Sequence, residues 1–449
     1  MRDLALIGFL LAFFGMGFKR PFLLVLVYVY IDIVSPQRLT YLLLNSVPVS
    51  LIAFALAVGG WILADDKRDT RVGARQVLIV LLMLYCWTTT IGADFPAEAQ
   101  EKWGWVWKAL IFAAFLPLTL RTRLRIEALL LFMILSASSI IIVGGIKTIA
   151  SGGGGYGQLN LMVDNNSGLY EGSTISTVAI AIVPIIIWFM GHGTIFTPDR
   201  RVKIFSLGLI FACLLIPVGT STRTGLMCIG LLAIVSIRNV KRKLLYLGML
   251  GALGVAAIPF LPASFTDRMS TIKSYDADQS ASTRLAVWQW TIEYAKTHPF
   301  GGGFDAYRGN HIRMDLKASE GAGAPGARIE TDKGRAYHSA YFEMLGEQGY
   351  FGLALWLSIN LIGIVRMEIL RHRYRDPDGE FGWASPLAAA LQNAQLVYLL
   401  GAAFIAIAFQ PFIYMLIGAQ IGLDTYLTRK QGEQTFRPMS RRKSVPKSA

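Results

Sequence analysis

The feature that most constrains this chain is a series of long apolar runs that recurs along nearly all of its 449 residues. Residues 128–146, 174–190 and 387–409 are examples, each with the roughly 17–25 residues that a helix needs to cross bilayer hydrocarbon. Hydrocarbon offers the backbone no hydrogen-bond partner, and the runs are continuous rather than alternating, which favours helices over a barrel. Only 16% of the residues are charged, against about 25% in soluble domains. The sequence therefore predicts an all-α polytopic membrane protein with about 12–13 transmembrane helices.

The formal charge of +14 comes from short basic clusters between the apolar runs. They lie at 19–20, 67–75, 121–125, 200–203, 238–243, 366–375 and in the C-terminal tail. These clusters occupy alternate loops, as lysine and arginine do on the cytoplasmic side of membrane proteins. We therefore attribute the charge to topology and predict no nucleic-acid partner. The same assignment puts three polar segments, 151–171, 219–225 and 262–337, together on the opposite side, where they can share one site.

The runs and polar segments divide the chain into five predicted parts. They are an N-terminal transmembrane region (1–150), central transmembrane helices (151–261), a large outer loop (262–337), C-terminal transmembrane helices (338–430) and a basic cytoplasmic tail (431–449). The loop is the longest polar stretch between apolar runs. We expect it to contain short amphipathic helices and most of the chemistry that the protein carries out.

Arg223 stands at the outer end of an apolar run, among the small hydroxyl residues Ser221, Thr222 and Thr224. A charged side chain in a membrane costs about 2.5–3.5 kcal/mol at mid-bilayer, and less near the interface, unless it is paired or hydrated. An interfacial anchor is the ordinary interpretation, but cationic anchors are expected on the other side. Guanidinium and hydroxyl donors suit phosphate oxygens. This segment therefore predicts an anion-binding site.

A second arginine, Arg284, lies at the start of a predicted amphipathic helix over 282–297, with Ser282 as its cap. The apolar side of such a helix would rest on the membrane surface. Arg284 is then either an ordinary solvated residue or a second cation for the anion site.

His338 is the strongest candidate for acid–base chemistry, because histidine titrates near neutral pH. It stands where the chain re-enters the membrane, with Glu343 and Glu347 further along the same predicted helix. A hydrogen-bonded interfacial histidine is the alternative interpretation.

Sequence motifs for metals and nucleotides are weak or missing. Asp276-Ala277-Asp278 resembles a paired-aspartate metal site but lacks the strand–helix context that such a site requires. The sequence has no zinc-ligand cysteine spacing and no phosphate-binding glycine loop of the nucleotide-binding type. We predict neither a metal nor a cofactor.

Taken together, these motifs resemble the O-antigen ligase and O-antigen polymerase superfamily. Thr222-Arg223-Thr224-Gly225 resembles its Ser/Thr-Arg-x-Gly signature, which precedes a long external loop. Within the loop, the residues that resemble its arginine–serine–arginine pattern and its glycine segment are Arg268, Asp278-x-Ser280, Arg284-x-x-x-Trp288 and His298-Pro299-Phe300-Gly301-Gly302-Gly303. The segment from His338 through Tyr341 and Glu347 to Gly349 resembles its re-entry motif. The N-terminal third is similar to O-glycosylation ligases associated with exosortase systems.

The resemblance implies a metal-independent glycosyltransferase of the bacterial inner membrane whose site faces the periplasm. Its donor would be a glycan on undecaprenyl diphosphate, and its acceptor a hydroxyl of a lipid, a protein or another glycan. By this resemblance His338 would act as the base, while Arg223 and Arg284 would bind the diphosphate. The other predicted substrate-binding residues are Ser221, Thr222, Thr224, Arg268, Ser282, Arg308, Tyr341 and Glu347.

Two alternatives stay open at this point. A polysaccharide polymerase would use the same residues to join repeat units. A lipid or sugar transporter would carry out no chemistry, and it predicts internal repeats and charges near the bilayer midplane. No repeat is evident, and most charges lie at the ends of the apolar runs.

Overall fold

The computed structural model describes residues 2–39, 47–68, 70–151, 168–238, 279–316 and 328–435, with isolated positions between 242 and 266. The helices of the first half are α1 (Arg2–Lys19), α2 (Phe22–Val34), the one-turn α3 (Pro36–Leu39), α4 (Val49–Ala64), α5 (Ala74–Ile91), α6 (Pro96–Thr119) and α7 (Arg123–Ser151). A 3-10 turn (Gly168–Tyr170) then leads into α8 (Gly172–His192), α9 (Arg200–Gly219) and α10 (Arg223–Ile237).

The second half begins with α11 (Gln279–Thr297) and a 3-10 turn (Ala306–Gly309). The strands β1 (His311–Leu316) and β2 (Arg328–Lys333) follow, and then α12 (Ala340–Arg373), α13 (Ala384–Ala402) and α14 (Pro411–Thr435).

Five of the described helices, α5, α7, α8, α9 and α12, are long and apolar enough to cross a membrane. The shorter apolar helices α2, α4 and α10 add to them. The prediction of an all-α polytopic membrane protein is therefore confirmed. The predicted count of about 12–13 crossings includes segments outside the described residues and stays a prediction.

Ion pairs gather the basic loops at one end of the helices. Arg125 at the start of α7 contacts Asp65 after α4 at 2.7 Å. Arg366 in α12 contacts Asp424 in α14, also at 2.7 Å. Arg429 near the end of α14 donates to the Arg121 carbonyl between α6 and α7. These basic segments therefore share one end, as the positive-inside pattern predicts. The side of the membrane that this end faces stays a prediction.

Glycines let helices pack closely in the interior. A Cβ atom added at Gly422 would lie 2.4 Å from the side chain of Leu120, and one at Gly418 would lie 2.8 Å from that of Leu116. Helix α14 thus approaches α6 through its small residues, the usual way for membrane helices to pack.

The other end, here called the outer end, carries a polar layer built from α11 and the β1–β2 ribbon. The strands are antiparallel, with His311 opposite Lys333, and Val287, Ile312 and Tyr337 form a small core beneath them. The sequence predicted amphipathic helices in this loop but no strands. The prediction that Ser282 caps the helix was wrong, because α11 begins at Gln279 and Ser282 lies within its first turn.

Candidate functional site

The turn between α9 and α10 presents Arg223 at the outer end. Thr222 is the N-cap residue of α10, and Arg223 is its first helical residue. Ser221 has φ of 50°, a left-handed conformation that non-glycine residues seldom adopt. Gly225 lies one turn further on, where a Cβ atom would be 2.6 Å from the ring of Pro217. The Thr-Arg-Thr-Gly motif thus has a structural component, since its glycine permits the tight α9–α10 turn.

Hydroxyl groups of this turn bond to one another. Ser176 Oγ of α8 lies 2.8 Å from Thr220 Oγ1 and accepts a hydrogen bond from Thr222 Oγ1 at 3.0 Å. Thr220 Oγ1 and Thr222 Oγ1 are 3.1 Å apart, and all three residues are buried. We therefore assign these hydroxyls to the joint between α8 and the turn. Arg223 itself is half-buried at this joint.

The chain that enters α8 lies against the same turn. The carboxylate of Glu171 caps α8 by accepting hydrogen bonds from the Ser173 and Thr174 amides at 3.0 and 2.6 Å. The next residue, Gly172, packs on Thr220, whose Cβ atom lies 3.3 Å from the position of an added Cβ. The end of the 151–171 segment and the 219–225 segment therefore meet, as the sequence predicted.

His338 lies at the end of the outer loop, directly before Ser339, the N-cap residue of α12. It has φ of 47°, and residues held in such sparsely populated conformations concentrate at functional sites. The ring is accessible to solvent, yet burial among protein atoms lowers the pKa of His338 below its ordinary value. The cations Arg284 and then Arg335 lower this pKa further, and the carboxylate of Glu171 opposes them. The imidazole is therefore biased toward its neutral, proton-accepting form.

Helix α11 is fixed to the re-entry segment by Trp288. The indole N–H of Trp288 donates to the Tyr337 carbonyl at 2.8 Å, and its ring stacks on Phe342 at 4.8 Å. Arg284 lies one turn earlier on α11, so it shares a face with Trp288. The contact of Trp288 with Tyr337 therefore brings Arg284 near His338, and this explains why the charge of Arg284 lowers the pKa of His338.

The Pro299–Gly303 segment holds the start of α12. The amides of Gly302 and Gly303 donate to the carbonyls of Gly346 and Glu347 at 3.1 and 3.0 Å. Gly349 kinks α12 with φ of 63°, and a Cβ atom there would lie 2.2 Å from the Pro299 carbonyl oxygen. The Pro299–Gly303 segment and Gly349, the final glycine of the re-entry motif, therefore contact each other directly.

A buried charge cluster lies below this contact, and its central residue, Lys102 of α6, was not among the sequence candidates. Its Nζ atom contacts Glu343 at 2.7 Å and both carboxylate oxygens of Glu347 at 2.8 and 2.9 Å. Asp305 is 3.9 Å away, and burial raises the pKa of Asp305. A lysine directly before an apolar run was the available signal, because ionisable residues at membrane depth tend to have a function and a partner.

The structure divides the predicted site residues into groups. Arg223 lies in the turn that Gly172 contacts. The charges of Arg284 and of Glu171, the residue before Gly172, both act on His338. Arg308 lies instead beside the lysine cluster, 3.6 Å from Glu98 and 3.8 Å from Asp305. Arg268 lies outside the described residues.

Three further predicted substrate-binding residues have contacts within the protein. Tyr341 turns inward, where its hydroxyl donates to the Leu399 carbonyl at 3.1 Å and its ring meets Trp356. Glu347 is fully buried against Lys102, and Thr224 is also buried. Whether any of these residues touches a substrate stays a prediction.

Within the described residues, no group of three or more His, Cys, Asp or Glu side chains is arranged to hold a metal ion. Asp276 and Asp278 lie outside those residues. The structure therefore leaves the paired-aspartate hypothesis untested.

Comparison with known proteins bears on the arrangement of Arg223, Arg284 and His338. Residues 208–357, which include all three, match the O-antigen ligase family. This part of the chain is therefore similar to O-antigen ligases. Residues 1–194 match a family of unknown function, DUF5935, and they supply Lys102 and Glu171.

A relative is consistent with this match. The chain is 27% identical over 154 residues to the exopolysaccharide production protein ExoQ of Rhizobium meliloti (strain 1021). The alignment spans 34% of each chain, so the chain covers about a third of this relative. The two matches support the predicted superfamily and suggest a membrane ligase or polymerase of glycans. The exosortase-associated branch stays a prediction.

Proposed function

We propose that the protein transfers a glycan from a lipid diphosphate to an acceptor hydroxyl at the outer end of the membrane. The observation that supports the proposal is that the charges of Arg284 and Glu171 both act on His338, while Gly172, next to Glu171, packs against the turn that presents Arg223. The reaction needs cations for the leaving diphosphate and a base for the incoming hydroxyl, and both kinds of group lie in the 208–357 region that matches O-antigen ligases.

The chemistry can be written from these residues. The acceptor oxygen bonds to the anomeric carbon of the donor sugar while the bond from that carbon to the diphosphate oxygen breaks. The neutral imidazole of His338 takes the hydroxyl proton, and the lipid diphosphate leaves with the electron pair. The guanidinium groups of Arg223 and Arg284 stabilise the negative charge that accumulates on the diphosphate. No metal ion takes part in this proposal.

The lipid part of the donor explains why the site lies at the membrane interface. A long isoprenoid chain stays in the bilayer, so the diphosphate that it carries must be bound at the interface. We assign the donor to undecaprenyl diphosphate and the location to the periplasmic face of the bacterial inner membrane. The outer end then faces the periplasm. The opposite end, which carries the basic loops and is here called the arginine-rich end, faces the cytoplasm, as the distribution of basic residues favours.

A polymerase is a second candidate, because the relative named above is an exopolysaccharide production protein. In that case the acceptor hydroxyl belongs to another lipid-linked glycan, and His338 and the arginines keep the same roles.

The experiment that tests the proposal is deletion of the gene and analysis of the lipid-linked glycans. A ligase predicts that multi-unit glycan accumulates on the lipid carrier while its acceptor goes unmodified. A polymerase predicts that single repeat units accumulate. A normal pool of lipid-linked glycan with a fully modified acceptor would contradict both.

A further inference from the structure

The contact between the N-terminal 1–194 region and the 208–357 region that matches O-antigen ligases carries a further inference, which rests on the proposed function. Lys102 belongs to the first region, and its partners Glu343 and Glu347 belong to the second. We propose that Lys102 is a positioning residue for the transfer reaction, because it fixes the direction in which α12 leaves His338.

Four segments of the chain meet around the ammonium group of Lys102. Glu347, which Lys102 binds, also accepts a hydrogen bond from the Asp305 amide at 3.0 Å. Glu343 likewise accepts one from the Ala408 amide at 2.9 Å. Helix α6, the 301–309 loop, the first turns of α12 and the loop after α13 therefore share a single polar centre.

The charge balance makes Lys102 necessary for this centre. Glu347 is 0% exposed and Glu343 is 5% exposed at the side chain. Taking a carboxylate out of water is costly unless a cation and hydrogen bonds compensate it. The aromatic rings of Phe304 and Phe409 lie 5.4 and 5.8 Å from Nζ, so the ammonium also has cation–π contacts.

Other contacts of the same N-terminal region support the docking of the outer segment. Thr89 of α5 donates to the Gln348 side chain at 2.7 Å, and the Tyr85 hydroxyl donates to the Phe300 carbonyl at 2.8 Å. The Asp94 amide donates to the Gly302 carbonyl at 2.9 Å. In this set Lys102 is the residue that forms ion pairs, and it forms them with the helix that follows His338. The region of unknown function thus holds the re-entry segment of the 208–357 region in place.

A labelling experiment on the full-length protein tests this role without relying on catalysis. Ser339 is 1% exposed, so a thiol from Ser339→Cys should react slowly with a water-soluble maleimide. The native Cys86, Cys213 and Cys228 are buried, and the parent protein measures their background. Adding Lys102→Met should raise the labelling rate several-fold, while Lys102→Arg should leave it near the parent value. Lys296→Met is the matched control, because Lys296 pairs with Glu293 on the exposed surface of α11.

If Lys102→Met does not fold, the double variant Lys102→Met/Glu347→Gln removes a carboxylate that would be left without its cation. The α6–α12 tie is still absent there, so labelling at position 339 should again be fast. Slow labelling in a folded variant that lacks Lys102 would overturn the positioning role.

Kinetics then connect the role to the reaction. In protein without Ser339→Cys, Lys102→Met should lower kcat by about 10²-fold, the size expected of a misplaced catalytic group. The KM for the donor should change little, and Lys102→Arg should restore much of the rate. Fast labelling of the Lys102→Met variant, together with no transfer even by the wild-type protein, would support the role of Lys102 in fixing α12 and contradict the proposed function instead. An unchanged kcat in folded Lys102→Met would overturn the inference.

Discussion

Trp288 of α11 donates its indole N–H to the carbonyl of Tyr337, the residue before His338, at 2.8 Å. This bond fixes α11 against the re-entry segment. It also sets the position of Arg284, because Arg284 lies one turn before Trp288 on the same helix. The electrostatic environment of His338 is therefore a product of tertiary packing, and it can be tested by changing the charges that surround the ring.

The first prediction concerns the pH dependence of transfer. The pKa of His338 is lowered, so the base stays neutral, and transfer stays active, down to pH values below about 6.5 before protonation stops it. Arg335→Gln removes a cation that lowers this pKa, and the acidic limb of the rate profile should move to higher pH. Glu171→Gln keeps an oxygen to cap α8 but removes the opposing charge, so the limb should move to lower pH. Shifts in the same direction would show that His338 is not the titrating base.

The second prediction concerns Arg223. Arg223→Lys keeps the charge but loses the planar fork that binds two phosphate oxygens at once. We expect transfer to fall by about 10²–10³-fold, with normal membrane insertion. Arg201→Lys at the arginine-rich end is the control and should retain activity. Near-normal product from Arg223→Lys would remove Arg223 from the site.

The third prediction separates a structural from a binding role for the hydroxyls near Arg223. Thr222→Val breaks the bond to Ser176, and the protein should lose about 0.5–1.5 kcal/mol of stability, with little change in the KM for the donor. Thermal unfolding in detergent and donor titration measure the two quantities. Thr297→Val, which changes an exposed threonine, should alter neither. A large rise in donor KM at unchanged stability would return Thr222 to the phosphate site.

The fourth prediction concerns the kink in α12. Gly349→Ala places a Cβ atom against the Pro299 carbonyl in a left-handed conformation, where strain alone costs about 1–3 kcal/mol. The variant should unfold at lower temperature and lose transfer. Gly208→Ala in α9 has open space around its Cβ position, and it should be neutral or stabilising by up to about 1 kcal/mol. Equal stability of the two variants would refute the contact between Pro299 and Gly349.

The fifth prediction is that transfer survives chelation. The proposed chemistry uses arginines in place of a metal ion, so EDTA should leave the rate unchanged. Loss of activity that added Mg²⁺ or Mn²⁺ restores would contradict this, and would turn attention to Asp276 and Asp278.

Sequence alone predicted the all-α membrane fold because apolar length and basic clusters carry that information directly. The same patterns predicted that the segments ending at Glu171, around Arg223 and before His338 meet at one end. They did not predict the β1–β2 ribbon or the start of α11. The ribbon packs through Ile312 on Tyr337 and on Val287 of α11, and no local pattern in the sequence encodes these contacts.

The lysine cluster shows the limit of sequence reasoning more sharply. Lys102 is separated from Glu343 by 241 positions along the chain, and no local spacing relates the two. Similarly, the sequence did not predict that the hydroxyls of Thr222 and Tyr341 bond to Ser176 and to the Leu399 carbonyl. Such pairings depend on which helices contact each other, and the hydropathy pattern of the sequence does not predict those contacts.

The central claim is that the outer site breaks the bond between a glycan and a lipid diphosphate and passes the glycan to a hydroxyl. The most direct measurement follows purified protein in lipid vesicles, supplied with lipid-diphosphate-linked glycan and acceptor. We predict release of one lipid diphosphate for each glycan transferred, and none from His338→Ala or Arg284→Gln protein that remains folded. Movement of the intact lipid-linked glycan across the bilayer, without release of lipid diphosphate, would contradict the claim.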